Sequence, residues 1–183
     1  MKKQEILIGV TAGIAAYKTA DLVSRLVQSG YGVSVMMTRE ADALMGRRIF
    51  QALTGRMVAV EMFSRTGEAI PHIESGRKAD LFCIAPATAN ILGKAAHGIA
   101  DDLLSTTVLA FDGPILWVPA MNVQMWKNAA VQRNLSQLRA DGHQILGPES
   151  GYLACGETGM GRMVSPETIF QTIERFFSSQ ESL

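Results

Sequence analysis

The sequence has few of the residues that hold disulfide-rich or metal-dependent domains together. It contains two cysteines, Cys83 and Cys155, and three histidines scattered along the chain. Two cysteines are too few for the disulfide framework of a small secreted domain, and no CxxC or cysteine–histidine cluster has the spacing of a metal site. We therefore expect no bound metal and a reducing, cytoplasmic compartment.

An excess of either charge is also missing, because 17 lysines and arginines balance 17 aspartates and glutamates. This balance provides no electrostatic attraction to nucleic acid or to an anionic membrane. No segment approaches the roughly 20 apolar residues of a membrane-spanning helix. The opening MKKQEILIGVTAGIAAYK differs from a signal peptide, since Glu5 interrupts its basic region and Lys18 closes its apolar run. We expect neither a nucleic-acid nor a membrane partner.

The sequence does contain regularly spaced short apolar runs, within 183 residues of which 48% are hydrophobic. This length and composition fit one globular domain. Short apolar runs that end at glycine or proline are typical of buried parallel strands. The predicted strands are residues 5–10, 33–37, 58–60, 81–85, 115–118 and 144–146.

Helical periodicity fills the segments between these strands, and the last helix begins at Ser165 with Pro166 in its first turn. Alternating strands and helices predict a single-domain α/β fold, a Rossmann-like or flavodoxin-like doubly wound parallel sheet with helices on both faces. We assign residues 1–177 to this domain and 178–183 to a polar tail, and we predict a glycine-rich loop from Gly147 to Gly161. The earlier predicted helices cover residues 16–27, 42–51, 90–96, 102–110 and 131–138.

Four segments with small or polar residues follow predicted strands, at the edge where such folds bind ligands. TAGIAAYK opens a helix whose backbone N–H groups could approach an anion, although it is not a GxGxxG fingerprint. Thr38, PATAN (86–90) and PAMN (119–122) follow later strands. Each segment also fits a plain turn or helix cap. For the paired Asp101 and Asp102, capping is preferred over an acid/base or metal role.

The two cysteines differ in their surroundings. Cys83 lies within a predicted strand and fits a buried apolar filler. Cys155 lies among glycines, which permit a loop to close over a ligand, so we interpret it as a residue of the chemistry. Asn122, flanked by methionines, fits either a ligand-orienting amide or a turn residue. The isolated His72 fits either a structural or a chemical role.

Together these segments resemble the homo-oligomeric flavin-containing cysteine decarboxylases. The resemblance is carried by the order and spacing of PATAN, GIADDLL, PAMN followed by MW, and ACGETGMGRM, and it covers nearly the whole chain. It implies FMN as cofactor, a small-molecule substrate, and a homo-oligomer that is a trimer or a dodecamer built of trimers. A phosphopantothenate–cysteine ligase is an implied partner, since many bacterial relatives are fused to one.

The resemblance also implies a role for individual residues. His72 is similar to the active-site base, Asn122 to the amide that holds the substrate carboxylate, and Cys155 to a proton donor on a closing flap. Further substrate contacts are implied for Met125, Ala154, Gly156, Arg162 and Met163. FMN contacts are implied for Ala12, Gly13, Ile14, Thr38, Thr88, Ala89, Asn90 and Ala120.

The implied reaction converts 4′-phosphopantothenoylcysteine to 4′-phosphopantetheine in coenzyme A biosynthesis. The flavin oxidises the cysteine thiol to a thioaldehyde, carbon dioxide is lost, and the ene-thiol is reduced again. PAMN and the ACGE flap favour this substrate over the C-terminal cysteine of a peptide, whose decarboxylases tend to have PNMN. Two alternatives stay open: a peptidyl-cysteine oxidative decarboxylase and a non-catalytic FMN-binding regulatory protein.

Overall fold

A five-stranded parallel sheet forms the centre of the protein in a computed structural model that describes residues 3–62 and 79–180. The strand order is β2-β1-β3-β4-β5, and every neighbouring pair is parallel. This is the flavodoxin-like order of a doubly wound sheet, so the predicted fold class is confirmed. The strands are β1 (Glu5–Val10), β2 (Gly32–Met37), β3 (Leu81–Ala87), β4 (Ile115–Pro119) and β5 (Gln144–Ile145).

Helices cover both faces of this sheet and bury two separate apolar clusters. The helices are α1 (Ala16–Gln28), α2 (Arg39–Met45), α3 (Arg48–Thr54), α4 (Ala89–Ala96), α5 (Leu103–Ala110), α6 (Val123–Lys127), α7 (Ala129–Ala140) and α8 (Pro166–Gln180). Helices α1, α3 and α8 pack on one face of the sheet, and α4, α5 and α7 pack on the other. No helix in the described part of the chain is both long and apolar enough to cross a membrane.

Strand β3 is apolar throughout, and it is buried on both faces of the sheet. In β3, Cys83 and Ala85 join the cluster under α1, while Phe82 and Ile84 join the opposite cluster. This division follows from the alternation of side chains along a strand. Burial raises the pKa of the Cys83 thiol to about 12. Cys83 is therefore a protonated core residue, which confirms the interpretation as an apolar filler.

Several predicted boundaries were wrong. The helix predicted over 42–51 is two helices, because the chain takes a positive φ of 74° at Gly46, where α2 ends. The strand predicted over 58–60 is a single bridge between Ala59 and Met36. Pro86 lies within β3 rather than ending it, between Ile84 and Ala87, where the regular pairing with β4 is interrupted by a register shift.

The segment predicted as a glycine-rich loop is a two-stranded antiparallel hairpin. Its strands are β6 (Glu149–Tyr152) and β7 (Thr158–Arg162), with Gly151 opposite Gly159. The prediction was wrong because glycines carry no hydrophobic alternation that would indicate a strand. Helix α8 begins as predicted, with the Ser165 hydroxyl accepting the Thr168 N–H at 3.0 Å. It extends through residue 180, so residues 178–180 of the predicted tail are helical.

Candidate functional site

A cavity of about 540 Å³ opens at the carboxyl edge of the sheet, beside the ends of β1 and β3. The chain leaves β1 toward β2 on one side and β3 toward β4 on the other, so this is the topological switch point of the fold. The volume lies within the roughly 300–1,000 Å³ of small-molecule and cofactor sites. The walls are the loop after β1, the turn after β3, the loop after β4, and the hairpin.

Most of the residues predicted to contact FMN line this cavity. Thr38 does not line it; its hydroxyl accepts the Ala41 N–H at 3.2 Å and caps α2. Asn90 also lies outside the lining, exposed in the first turn of α4. The predicted contacts that do line the cavity are Ala12, Gly13, Ile14, Thr88, Ala89 and Ala120.

Most of the residues predicted for the substrate and the chemistry also line the cavity. Gly156 lies in the hairpin turn, with φ +87°, and does not line the cavity. His72 falls outside the described residues, so its predicted role as base stays a prediction. The residues of this group that line the cavity are Asn122, Met125, Ala154, Cys155, Arg162 and Met163.

The loop between β1 and α1 has the features of an anion-binding turn. Helix α1 starts without a side-chain cap and without an acidic residue in its first turn. Within the described residues, no protein group accepts a hydrogen bond from the backbone N–H of Ile14 or Ala15. These free donors and the positive end of the helix dipole favour a negatively charged group.

Asn122 combines the two roles that its sequence context left open. Its Oδ1 accepts the Met125 N–H at 2.8 Å and caps α6, and its side chain also lines the cavity. Because the cap needs an acceptor, the amide orientation is set and Nδ2 becomes the free end. Among the described residues Nδ2 has no protein acceptor. An amide donor held in this way suits a carboxylate ligand.

The hairpin is docked against the loop that carries Asn122. The Met121 N–H donates to the Gly161 carbonyl at 3.0 Å. A Cβ built on Gly161 would overlap the Met121 carbonyl oxygen, and one built on Gly159 would lie 2.8 Å from Val123. The two glycines therefore allow an approach that other residues would block. At the other end of the hairpin, the turn presents the exposed thiol of Cys155 to the cavity.

Sequence reasoning missed a cation in the cavity wall. Lys18 Nζ donates to the Met163 carbonyl at 3.0 Å and ties α1 to the end of the hairpin. Burial, followed by the charge of Arg162, lowers the pKa of Lys18. Arg162 pairs with Glu149 at 2.9 Å. The available signal was position, since Lys18 lies in the first turn of α1, directly after the loop that lines the cavity.

Of the paired aspartates, Asp102 caps α5 as predicted, whereas Asp101 forms an ion pair with Lys94. Asp102 Oδ1 accepts the Ser105 N–H at 2.7 Å, and Lys94 Nζ lies 2.6 Å from Asp101 and 2.7 Å from Asp102. Burial opposes ionisation of Asp102, but the hydrogen bonds from Lys94 and Ser105 outweigh it and lower its pKa. Across residues 3–62 and 79–180, no three acidic, histidine or cysteine side chains form a group that could hold a metal ion.

The sequence pattern of the Flavoprotein family matches residues 1–178. The chain belongs to the Flavoprotein family. Its relatives include the coenzyme A biosynthesis bifunctional protein CoaBC of Bacillus subtilis (strain 168), which is 44% identical over 183 residues. That alignment covers all of this chain but 45% of the relative, so this Flavoprotein chain spans under half the length of such curated relatives.

Solved structures in the same family share the fold over nearly the whole chain. A PPC decarboxylase mutant complexed with pantothenoylaminoethenethiol superposes with a TM-score of 0.85 at 29% identity, covering 97% of this chain and 100% of that one. The FMN-dependent cysteine decarboxylase SpaF superposes with a TM-score of 0.77 at 38% identity, covering 86% and 89%. The family predicted from the sequence motifs is thus confirmed.

Proposed function

We propose that this Flavoprotein domain binds FMN and decarboxylates 4′-phosphopantothenoylcysteine to 4′-phosphopantetheine, as a carboxy-lyase of coenzyme A biosynthesis. The observation that carries the proposal is one cavity at the β1/β3 switch point that joins a small-residue anion loop, the Asn122 amide and the Cys155 thiol. The full-length superposition on a PPC decarboxylase and the identity with CoaBC support the substrate class.

The residues present fit FMN. Ala12, Gly13, Ala89 and Ala120 leave room along the cavity wall, and the free N–H groups at the start of α1 suit a phosphate. We propose that these segments, with Ile14 and Thr88, hold the cofactor. When bound, FMN supplies the hydride acceptor that oxidises the substrate thiol and the hydride that later reduces the ene-thiol.

The protein groups then act on the substrate's carboxylate and carbon atoms. Nδ2 of Asn122 can orient the substrate carboxylate without adding a positive charge, which would stabilise the carboxylate and oppose the loss of carbon dioxide. Cys155 can protonate the carbon left by decarboxylation, from a hairpin that excludes water when it covers the substrate. We propose His72 as the base that takes the first proton, since an imidazole titrates near neutral pH.

The rim of the cavity supports a homo-oligomer. Large apolar side chains stand exposed around the mouth, among them Tyr17 at 63% and Tyr152 at 67%, together with Ile14 and Met125. Exposed apolar groups in one place mark surfaces that become covered. We propose that a second subunit covers them in a trimer, alone or within a dodecamer, with a phosphopantothenate–cysteine ligase as a functional partner. The two free cysteines suit a cytoplasmic location.

A decarboxylase of another cysteine substrate, such as the C-terminal cysteine of a peptide, is the second candidate, because the FMN-dependent cysteine decarboxylase SpaF is also 38% identical to this chain. The substrates separate the two: carbon dioxide released from 4′-phosphopantothenoylcysteine but not from a cysteine-terminated peptide supports the first. A chain that binds FMN and decarboxylates neither would instead be a regulatory flavoprotein.

Cys155→Ser tests the proposed late proton donor. We expect this variant to bind FMN and release carbon dioxide while the ene-thiol accumulates, because the step after decarboxylation lacks its acid. Mass spectrometry of the quenched reaction measures the intermediate. Normal formation of 4′-phosphopantetheine by Cys155→Ser would remove the thiol from the mechanism.

A further inference from the structure

A buried hydroxyl joins the two strands at the switch point. Thr11, directly after β1, is 2% exposed, and its Oγ1 donates to the Pro86 carbonyl at 2.7 Å. The same oxygen accepts the Thr88 N–H at 3.2 Å, and Thr88 Oγ1 lies 3.2 Å from it. Thr11 therefore bonds the Pro86 carbonyl of β3, 75 residues away in the sequence, and the Thr88 amide of the turn after β3, 77 residues away.

The two segments joined by Thr11 both line the cavity. Ala12, Gly13 and Ile14 follow Thr11 directly, and Thr88 and Ala89 follow β3. A Cβ on Gly13 would lie 3.5 Å from Pro86 and 3.6 Å from Thr88, so the two segments are about one methyl group apart at this point.

Without the Thr11 hydroxyl, a buried carbonyl and a backbone amide would lose their partner at this contact. The turn after β3 could then satisfy them only by moving relative to the loop after β1. Thr11 itself does not line the cavity, so it would influence a ligand only through the walls.

We infer that Thr11 is a positioning residue for FMN, because its hydroxyl ties the loop after β1 to the end of β3 and the turn after it, and these segments line the cavity that would hold the cofactor. The inference rests on the proposed function. Thr11 is not one of the predicted FMN contacts, so loss of its hydroxyl would weaken FMN binding without removing a direct contact to the cofactor.

Thr19 provides a matched control. It is fully buried in α1, and its Oγ1 donates to the Ala85 carbonyl of the same strand at 2.8 Å. Thr19→Val and Thr11→Val each replace a hydroxyl by a methyl of similar size and leave one β3 carbonyl without its partner. The difference is that Thr19 bonds no group of the cavity wall.

The experiment measures FMN affinity by fluorescence quenching and, separately, the urea unfolding of each apoprotein. We expect Thr11→Val to raise the Kd for FMN at least about tenfold, with Thr11→Ser and Thr19→Val within about threefold of wild type. Both valine variants should unfold at lowered urea concentrations, and Thr11→Val should fall further because it also leaves the Thr88 N–H without a partner. Rescue by serine, together with near wild-type FMN affinity in the destabilised Thr19→Val, separates positioning from a general loss of stability.

Unchanged FMN affinity in Thr11→Val, or an equal loss in Thr19→Val, would overturn the inference alone. Wild-type protein that takes up no FMN would overturn the proposed function and the inference with it. If Thr11→Val does not fold, Thr11→Ala against Thr11→Ser makes the same comparison. Failure of both Thr11→Val and Thr11→Ala to fold, beside a folded Thr19→Val, would mark Thr11 as purely structural and contradict the inference.

Discussion

Replacing Gly161 by alanine tests whether the hairpin must lie directly against the loop that carries Asn122. The new Cβ would overlap the Met121 carbonyl oxygen and lie 3.4 Å from the Asn122 carbonyl oxygen. Both obstacles are backbone atoms, so no side-chain rotation relieves the contact. We expect β7 to move away from the loop and the cavity to widen between Asn122 and the hairpin.

The size of the effect follows from two contributions. Gly161 has a φ of +134°, and holding a non-glycine residue in such a region costs about 1–3 kcal/mol. Loss of the hydrogen bond from the Met121 N–H to the Gly161 carbonyl removes about 1 kcal/mol more. We therefore expect the free energy of unfolding to fall by about 2–4 kcal/mol. A displacement of about 1 Å at the substrate should lower kcat/KM about 100-fold.

Gly30→Ala is the control for strain without collision. Gly30 has a φ of +91° but no heavy atom within 4 Å of a built Cβ, and it lies far from the cavity at the end of α1. We expect about 1–2 kcal/mol of destabilisation and unchanged turnover. Urea unfolding and the decarboxylation assay are measured on both variants. If Gly161→Ala loses no more stability than Gly30→Ala and keeps wild-type kcat/KM, the close docking has no functional role.

Three further predictions concern single side chains. Asn122→Asp keeps an acceptor for the α6 cap, so the free energy of unfolding should change by less than about 0.5 kcal/mol. The new negative charge should repel the substrate carboxylate and abolish turnover. Normal turnover would exclude the proposed carboxylate contact. A thiol reagent should modify Cys155 in the native protein and Cys83 after unfolding, because burial holds Cys83 protonated, and rapid modification of both would contradict the packing. The hydrogen bond from Arg47 lowers the pKa of Asp42. The ionised carboxylate therefore stabilises the fold at pH values above its unfolded pKa of about 3.9. This stabilisation is lost as the pH falls through the lower pKa of the folded state. Asp42→Asn should be less stable at neutral pH and lose less on acidification, as urea unfolding across that range would measure; equal acid sensitivity in wild type and variant would refute the pairing.

The sheet was predictable because its strands are buried on both sides and so appear as continuous apolar runs. In β3, for example, the neighbouring residues Phe82 and Cys83 point into two different cores, so both positions are apolar. The hairpin was not predictable in this way, since Gly151 and Gly159 pair across it without an apolar signal. Its pairing depends instead on docking against Val123 and the neighbouring loop, which is a tertiary contact.

The site was predictable where motifs follow strand ends, and not where it depends on contacts between distant segments. Asn122 of PAMN and Cys155 of ACGE line the same cavity, and their roles there stay predictions. Thr38 also follows a strand, but α2 begins directly after it, and the Thr38 hydroxyl caps that helix. Lys18 and Thr11 carry no motif of their own, because their partners lie far away in the sequence.

The most direct test of the proposed reaction is to load the purified chain with FMN, add 4′-phosphopantothenoylcysteine, and measure carbon dioxide together with the product mass. We predict one carbon dioxide released for each 4′-phosphopantetheine formed, without consumption of an external oxidant. FMN-loaded protein that leaves this substrate unchanged, with or without activity on a cysteine-terminated peptide, would contradict this prediction.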